Sequence, residues 1–184
     1  MTTRPYEPAI ERRGGIAAAI GGLCAIAAGI GVGRFVYTPI LPPMVAALGL
    51  SKSQAGLIAS ANFLGYLIGA LLAAMPTLPG SRRAWVLGAL AASALTTAAM
   101  GVSDTMPLFL ALRLVGGVAS AFVLILASTM VLEHLHELGR DGLSAIHFAG
   151  VGSGIAVSAA LVAALLETGQ QWRALWLASG ALAL

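Results

Sequence analysis

Two arginines lie inside long apolar stretches of this chain. Arg34 lies about twenty residues into the first stretch, and Arg113 lies about two helical turns into the fourth. A charged side chain at membrane depth is costly, so it usually faces a cavity or a partner inside the protein. Guanidinium groups bind carboxylate or phosphate through parallel hydrogen bonds. Because no Asp or Glu occurs within the apolar stretches, a cavity lined by both arginines would be positively charged, and we expect an anionic substrate.

Polar side chains near these arginines complete the predicted substrate site. Tyr37 follows Arg34 by three residues on the same helical face, and Asn62 and Tyr66 are spaced four apart in the second stretch. His147 lies in the fifth stretch. Each residue has a structural alternative. Arg34 could extend to the outer lipid headgroups. Asn62 and Tyr66 could form hydrogen bonds between helices, and His147 could be a packed residue rather than a proton relay.

Other kinds of chemistry find no support in the sequence. There is no glycine-rich nucleotide loop after a strand, no nucleophile paired with a base and no zinc signature. The segment Glu133–Glu137 holds two histidines two residues apart, which would point to different sides of a helix, and we interpret it as a solvated loop. We therefore predict no catalytic residue, no metal and no cofactor, and we expect a protein that is not an enzyme.

The composition requires a lipid environment. Hydrophobic residues make up 59% of the chain and charged residues only 9%, with a mean hydropathy of +0.93. A soluble domain carries roughly 25% charged residues because its surface faces water. The net charge of +3 does not indicate a nucleic-acid partner, because the basic residues are scattered between apolar runs.

The apolar stretches predict an all-α transmembrane fold of six helices in one bundle. A cytoplasmic segment at residues 1–13 is followed by a helical domain at 14–184. The predicted helices cover about residues 14–48, 54–74, 84–102, 106–132, 144–166 and 172–184. A helix needs about 20 residues to cross the hydrocarbon region, so we expect the sixth to be truncated.

Pairs of small residues four positions apart predict close helix packing. Each pair lies on one helical face, where a small side chain lets two backbones approach within the membrane. The pairs are Gly29 and Gly33, Gly65 and Gly69, Gly117 and Ala121, and Gly150 and Gly154. This pattern is typical of a compact bundle rather than of separate membrane anchors.

The distribution of Lys and Arg predicts the orientation of the chain. With a cytoplasmic N-terminus, six arginines fall on the cytoplasmic side and two cations fall outside, as the positive-inside rule requires. The cytoplasmic set is Arg4, Arg12, Arg13, Arg82, Arg83 and Arg140, and the outer set is Lys52 and Arg173. We expect a multi-pass protein of the bacterial inner membrane.

Two segments resemble the major facilitator superfamily of secondary transporters. Arg113, followed by Gly116 and Gly117, is similar to the arginine motif in the fourth helix of that superfamily. The segment Gly31–Pro42, GVGRFVYTPILP, resembles the start of its YbfB/YjiJ-like branch. The resemblance implies twelve helices in two six-helix bundles, with the substrate held between them near the membrane midplane. It also implies functional roles for Arg113 and Arg34.

We interpret the chain as the N-terminal half of a secondary transporter that moves a small solute by alternating access, with an organic anion as the hypothetical substrate. Its expected partners are the lipid bilayer, the solute and a second six-helix bundle, either a C-terminal half or a dimer partner. The alternative is a small helical membrane protein with a structural or partner-subunit role and no transport activity of its own.

Overall fold

The computed structural model describes residues 9–75, 78–102 and 104–184, and these residues form helices without any strand. Most of the predicted cytoplasmic segment at 1–13 lies outside the described residues. Five helical stretches within the described part are long and apolar enough to cross a membrane. They are Gly14–Leu48, Lys52–Ala73, Arg82–Val102, Met106–Glu137 and Asp141–Glu167. The prediction of an all-α transmembrane fold is therefore confirmed.

The first span is interrupted rather than continuous. Helix α1 covers Ala9–Ile26, a π-helical segment covers Ala27–Val32, and α2 covers Tyr37–Leu48. Residues 33–36 between them form turns. A π-helical turn has one residue too many for the ordinary hydrogen-bond ladder, so it weakens the helix at this point. The sequence predicts a long helix over about 14–48, and the irregular backbone lies inside the helical stretch Gly14–Leu48.

The remaining helices follow in an up-and-down order with short connections. Helix α3 covers Lys52–Ala73, α4 Arg82–Ala99, α5 Met106–Phe122, α6 Ser128–Glu137, α7 Ser144–Glu167 and α8 Trp172–Leu182. A π-helical segment, Val123–Ala127, joins α5 to α6 within one span. Serine side chains begin two of the helices: Ser51 forms a capping box with Gln54, and Ser81 accepts a hydrogen bond from the backbone of Ala84.

The segment Glu133–Glu137 is the end of α6, so the interpretation of it as a loop is wrong. Leu135 is fully buried, which holds this turn against the bundle despite its charged neighbours. Glu133 accepts a hydrogen bond from Arg82 at 2.8 Å and so ties α6 to the start of α4. No group of three or more potential metal ligands occurs in the part of the chain that the structure describes.

Small residues mark the closest approaches between helices. A Cβ at Gly65 would overlap the backbone of Leu114, and one at Gly117 would overlap the backbone of Asn62, so α3 and α5 pack backbone to backbone. On the other side of the bundle, Gly31 and Gly154 face each other where the π-helical segment meets α7. These contacts fix the positions of the polar side chains described next.

Candidate functional site

Arg113, on the neighbouring helix α5, binds the backbone at the break in the first span, which is the irregular segment at residues 33–36. Its Nη1 donates to the carbonyl oxygen of Gly33 at 3.3 Å, and its Nη2 donates to that of Arg34 at 3.1 Å. Within the described part of the chain neither carbonyl accepts a backbone hydrogen bond, because the regular α-helical hydrogen bonding is interrupted in this segment. The side chain is only 5% exposed, and its guanidinium lies 5.0 Å from the centre of the Tyr37 ring. Arg113 therefore supplies the donors that the broken helix lacks.

Asn62 links α3 to the backbone of α5 at Arg113. Its side-chain amide donates to the carbonyl oxygen of Arg113 at 3.0 Å, and the residue is buried. This is a hydrogen bond between helices, the structural alternative that the sequence left open. It holds the backbone of α5 one turn away from the glycine contact at Gly65.

Arg34 has a different environment from Arg113. Its guanidinium carbon lies 4.1 Å from the ring centre of Tyr66, 4.8 Å from that of Phe63 and 5.7 Å from that of Phe35. No carboxylate forms an ion pair with it among the described residues. The side chain is half-buried, so one side of the cation remains accessible. This accessible guanidinium can bind an anion from outside the bundle.

Tyr37 turns its hydroxyl away from Arg34. The hydroxyl donates to the carbonyl oxygen of Ala55 at 2.8 Å, and the ring packs against Trp176 with centres 6.2 Å apart. The ring also supports the guanidinium of Arg113. Tyr37 therefore connects the start of α2 with α3, α5 and α8, and its polar atom is already bonded.

His147 lies apart from the other predicted site residues. It is fully buried on α7, with Nε2 2.9 Å from the hydroxyl of Ser128 on α6. Its ring lies against Gly22 of α1, where a Cβ would overlap it. Gly22 precedes Arg34 by twelve residues, which is about 18 Å along a helix. The structure thus brings Arg34, Tyr37, Asn62, Tyr66 and Arg113 together and leaves His147 outside the group.

Three residues near the site were missed by the sequence analysis. Phe35 and Phe63 contact Arg34, and Ser93 has a buried hydroxyl beside Gly33 that makes no hydrogen bond within the described part of the chain. Phe63 lies three residues before Tyr66, so helical spacing alone could have placed both rings on one face. Ser93 carries no comparable signal, because serine is common in membrane helices.

An apolar groove of about 780 Å³ lies elsewhere, between α3, α4 and α5. Its walls include Leu72, Trp85, Val118 and Phe122, and among the described residues that line it Ser81 alone bears a hydroxyl. Neither arginine lines it. The described walls of this groove carry no charged group that could bind an anion. The better candidate site is the arginine cluster, by which we mean Arg34, Tyr37, Asn62, Tyr66 and Arg113.

Comparison with known protein families shows to which family the chain belongs. A family model described as the uncharacterised MFS-type transporter YbfB matches residues 26–184. The chain belongs to this family. The match confirms the resemblance inferred from Gly31–Pro42 and Arg113, and the YbfB match includes every residue of the arginine cluster. Neither a curated protein nor a solved structure matches the chain. As a YbfB-family member with several apolar spans, it is a multi-pass integral membrane protein of the transporter type.

Proposed function

We propose that this chain forms the N-terminal bundle of a secondary transporter that moves a small organic anion by alternating access. The accessible guanidinium of Arg34 is the observation that carries the proposal. Arg34 follows Gly31, the midpoint of the span Gly14–Leu48, by three residues, which is about 5 Å along a helix. A cation at this depth is too costly to leave in lipid, so its accessible side faces a watery cavity.

The charge balance of the spans supports an anionic solute. Arg34 and Arg113 meet at the break, and the Arg113 side chain bonds the backbone of Arg34. No Asp or Glu occurs within the apolar stretches to neutralise them, and Glu133 lies at the end of its span in an ion pair with Arg82. An anion bound at Arg34 would reduce this excess of positive charge. The contact that binds the substrate would then also offset the positive charge of the two arginines.

A second bundle is part of the proposal because alternating access needs two bodies that move about the site. The surface of helix α7 supports the presence of a second bundle. One of its faces packs Gly150 on α1 and Gly154 on the π-helical segment, and another face leaves Ala149, Gly152 and Ala156 exposed. Small residues allow close approach of a further helix in the membrane, so the exposed face fits a helix of the second bundle.

The proposed orientation places the N-terminus in the cytoplasm of a bacterial inner membrane. The starts of α4 and α7 then lie on the cytoplasmic side with Arg82, Arg83 and Arg140, and Lys52 lies outside. Labelling of a Lys52→Cys variant by a membrane-impermeant maleimide in intact cells would support this orientation, and labelling only after permeabilisation would reverse it. The protein acts by moving its solute unchanged and catalyses no covalent step.

Substitution of Arg34 tests the proposal directly. In vesicles that contain the full-length native gene product, we expect Arg34→Gln to lower organic-anion uptake at least about tenfold, because a charge-assisted hydrogen bond is lost. The matched control is Lys52→Gln, which removes a cation at the start of α3, away from the arginine cluster, and should leave uptake unchanged. Unchanged uptake by Arg34→Gln would reject the anion site. Absence of any uptake by the native protein would favour the structural or partner-subunit role.

A further inference from the structure

The cation of Arg34 lies among three aromatic rings, and one of them, Tyr66, also forms a hydrogen bond with it through its hydroxyl. Tyr66 and Phe63 lie one helical turn apart on α3, and Phe35 follows Arg34 at the break. Phe63 is 60% exposed and Phe35 is 37% exposed, so both rings also face outward beside the guanidinium. A bound anion would therefore contact one positive group, the guanidinium of Arg34, and the flat apolar faces of the neighbouring rings.

Arg113 does not add accessible hydrogen-bond donors to this surface. Two of its nitrogens are bonded to the carbonyl oxygens of Gly33 and Arg34, and the side chain is buried. An arginine has five N–H donors in a fixed plane, and a ligand can use only those that face it. The accessible donors of the arginine cluster thus belong to one guanidinium, that of Arg34.

We infer that the Arg34 site recognises a monovalent carboxylate carried on a flat apolar ring, that is, an aromatic monocarboxylate. This inference rests on the proposed transport of organic anions and specifies their class. The carboxylate accepts two parallel hydrogen bonds from Arg34. Its ring packs against Phe63 and Tyr66 in the offset or edge-on geometry that aromatic pairs prefer.

The charge and the shape of the site exclude other anions for separate reasons. A second negative charge on the ligand would be removed from water against phenyl rings without a partner in the described part of the chain, and this is costly. A small carboxylate without a ring would satisfy Arg34 but would leave Phe63 and Phe35 in contact with water. The ring and the single charge are therefore both required for tight binding.

Calorimetric titration of the full-length native gene product in detergent tests this specificity with four sodium salts. Benzoate has one charge and a ring, acetate has the charge without the ring, phthalate has the ring with two charges, and phosphate has neither the ring nor a carboxylate. We expect benzoate to bind at least about tenfold more tightly than the other three, since an aromatic ring buries enough apolar surface for such a difference.

Substitutions at the rings separate their contribution from that of the charge. Phe63→Leu should reduce the preference for benzoate over acetate about tenfold and leave acetate affinity unchanged, because Phe63 contacts Arg34 through its ring alone. Phe148→Leu is the matched control, because Phe148 is an exposed phenylalanine on α7, next to His147 and outside the arginine cluster. Arg34→Gln should abolish the binding of both anions.

The outcomes distinguish this inference from the proposed function. Tighter binding of phthalate or phosphate than of benzoate, or equal binding of acetate and benzoate, would overturn the aromatic monocarboxylate and leave an anion site at Arg34. Equal loss of acetate and benzoate affinity in Phe63→Leu would also overturn it. Binding of benzoate that survives Arg34→Gln, or the binding of none of the four salts, would overturn both the inference and the anion site.

Discussion

At the scale of single residues, the two arginines within the apolar stretches, Arg34 and Arg113, have different roles. Arg113 satisfies two carbonyl groups of an interrupted helix, whereas Arg34 rests on aromatic rings and keeps a side accessible. The same guanidinium chemistry serves both purposes because it combines a permanent charge with a planar set of donors. Burial decides which purpose dominates: Arg113 has no room for a ligand, and Arg34 has.

Arg113→Leu should destabilise the bundle strongly. It leaves two carbonyl oxygens without donors, one buried and one partly buried, each costing about 1–3 kcal/mol, so we expect the free energy of unfolding to fall by about 2–6 kcal/mol. Denaturation in mixed detergent micelles, followed by far-ultraviolet circular dichroism, measures this. Arg34→Gln is the control and should change stability by about 1 kcal/mol, the size of a cation–π contact. Equal losses in the two variants would show that Arg113 has no special structural role.

At the scale of elements, the discontinuity of the first span positions the site. The π-helical segment Ala27–Val32 and the turns at 33–36 free two carbonyl groups and place Arg34 beside α3. Pro39 lies in the first turn of α2, where a missing N–H is tolerated, and so allows the helix to resume. Irregular backbone at membrane depth is stable only when it is buried in protein or lines a cavity, and this segment meets Arg113 on its buried side.

The close packing of α3 on α5 predicts which glycines accept a methyl group. A Cβ at Gly65 would overlap the carbonyl of Leu114, whereas Gly56 on the same helix has open space. Gly65→Ala should therefore lower the free energy of unfolding by about 1–3 kcal/mol through overpacking. Gly56→Ala should leave it unchanged or raise it by up to about 1 kcal/mol, since alanine favours helix. The same micelle titration compares them, and similar stabilities would contradict the packing described.

At the scale of the whole molecule, the bundle presents surfaces of two kinds. The arginine cluster and the small-residue face of α7 fit a second protein body, while the apolar groove beside Trp85 fits lipid. The proposed alternating access uses both kinds, because one face would move against the second bundle while the other stays in the bilayer.

Gly152→Leu should block transport without unfolding this bundle. Gly152 lies on the exposed face of α7 with open space around it, so a larger side chain would meet only the proposed second bundle. We expect at least about a tenfold loss of uptake in vesicles, with an unchanged unfolding curve, because close helix contacts need small residues. Gly88→Leu on α4 is the control, since Gly88 is equally open but lines the apolar groove. Full uptake by Gly152→Leu would place this face in lipid.

The sequence by itself determined the class, the helices and the family of this protein. Few charges, runs of about twenty apolar residues and the motif around Arg34 are local properties, and each can be interpreted without knowledge of distant contacts. Turns are local in the same way: Gly139 adopts a positive φ just after α6, a conformation that glycine reaches without strain.

Only the tertiary structure shows which polar side chains bond to neighbouring helices and which one remains accessible. Arg113 lies 80 residues from Gly33 along the chain, so no local pattern shows that it bonds that carbonyl. Asn62 bonds the backbone of α5, and His147 pairs with Ser128 far from the arginines. Hydrophobic periodicity specifies which face of a helix is buried, but it does not specify which neighbouring helix meets that face or where a helix loses its own hydrogen bonds. Those two features separate the structural Arg113 from the accessible Arg34.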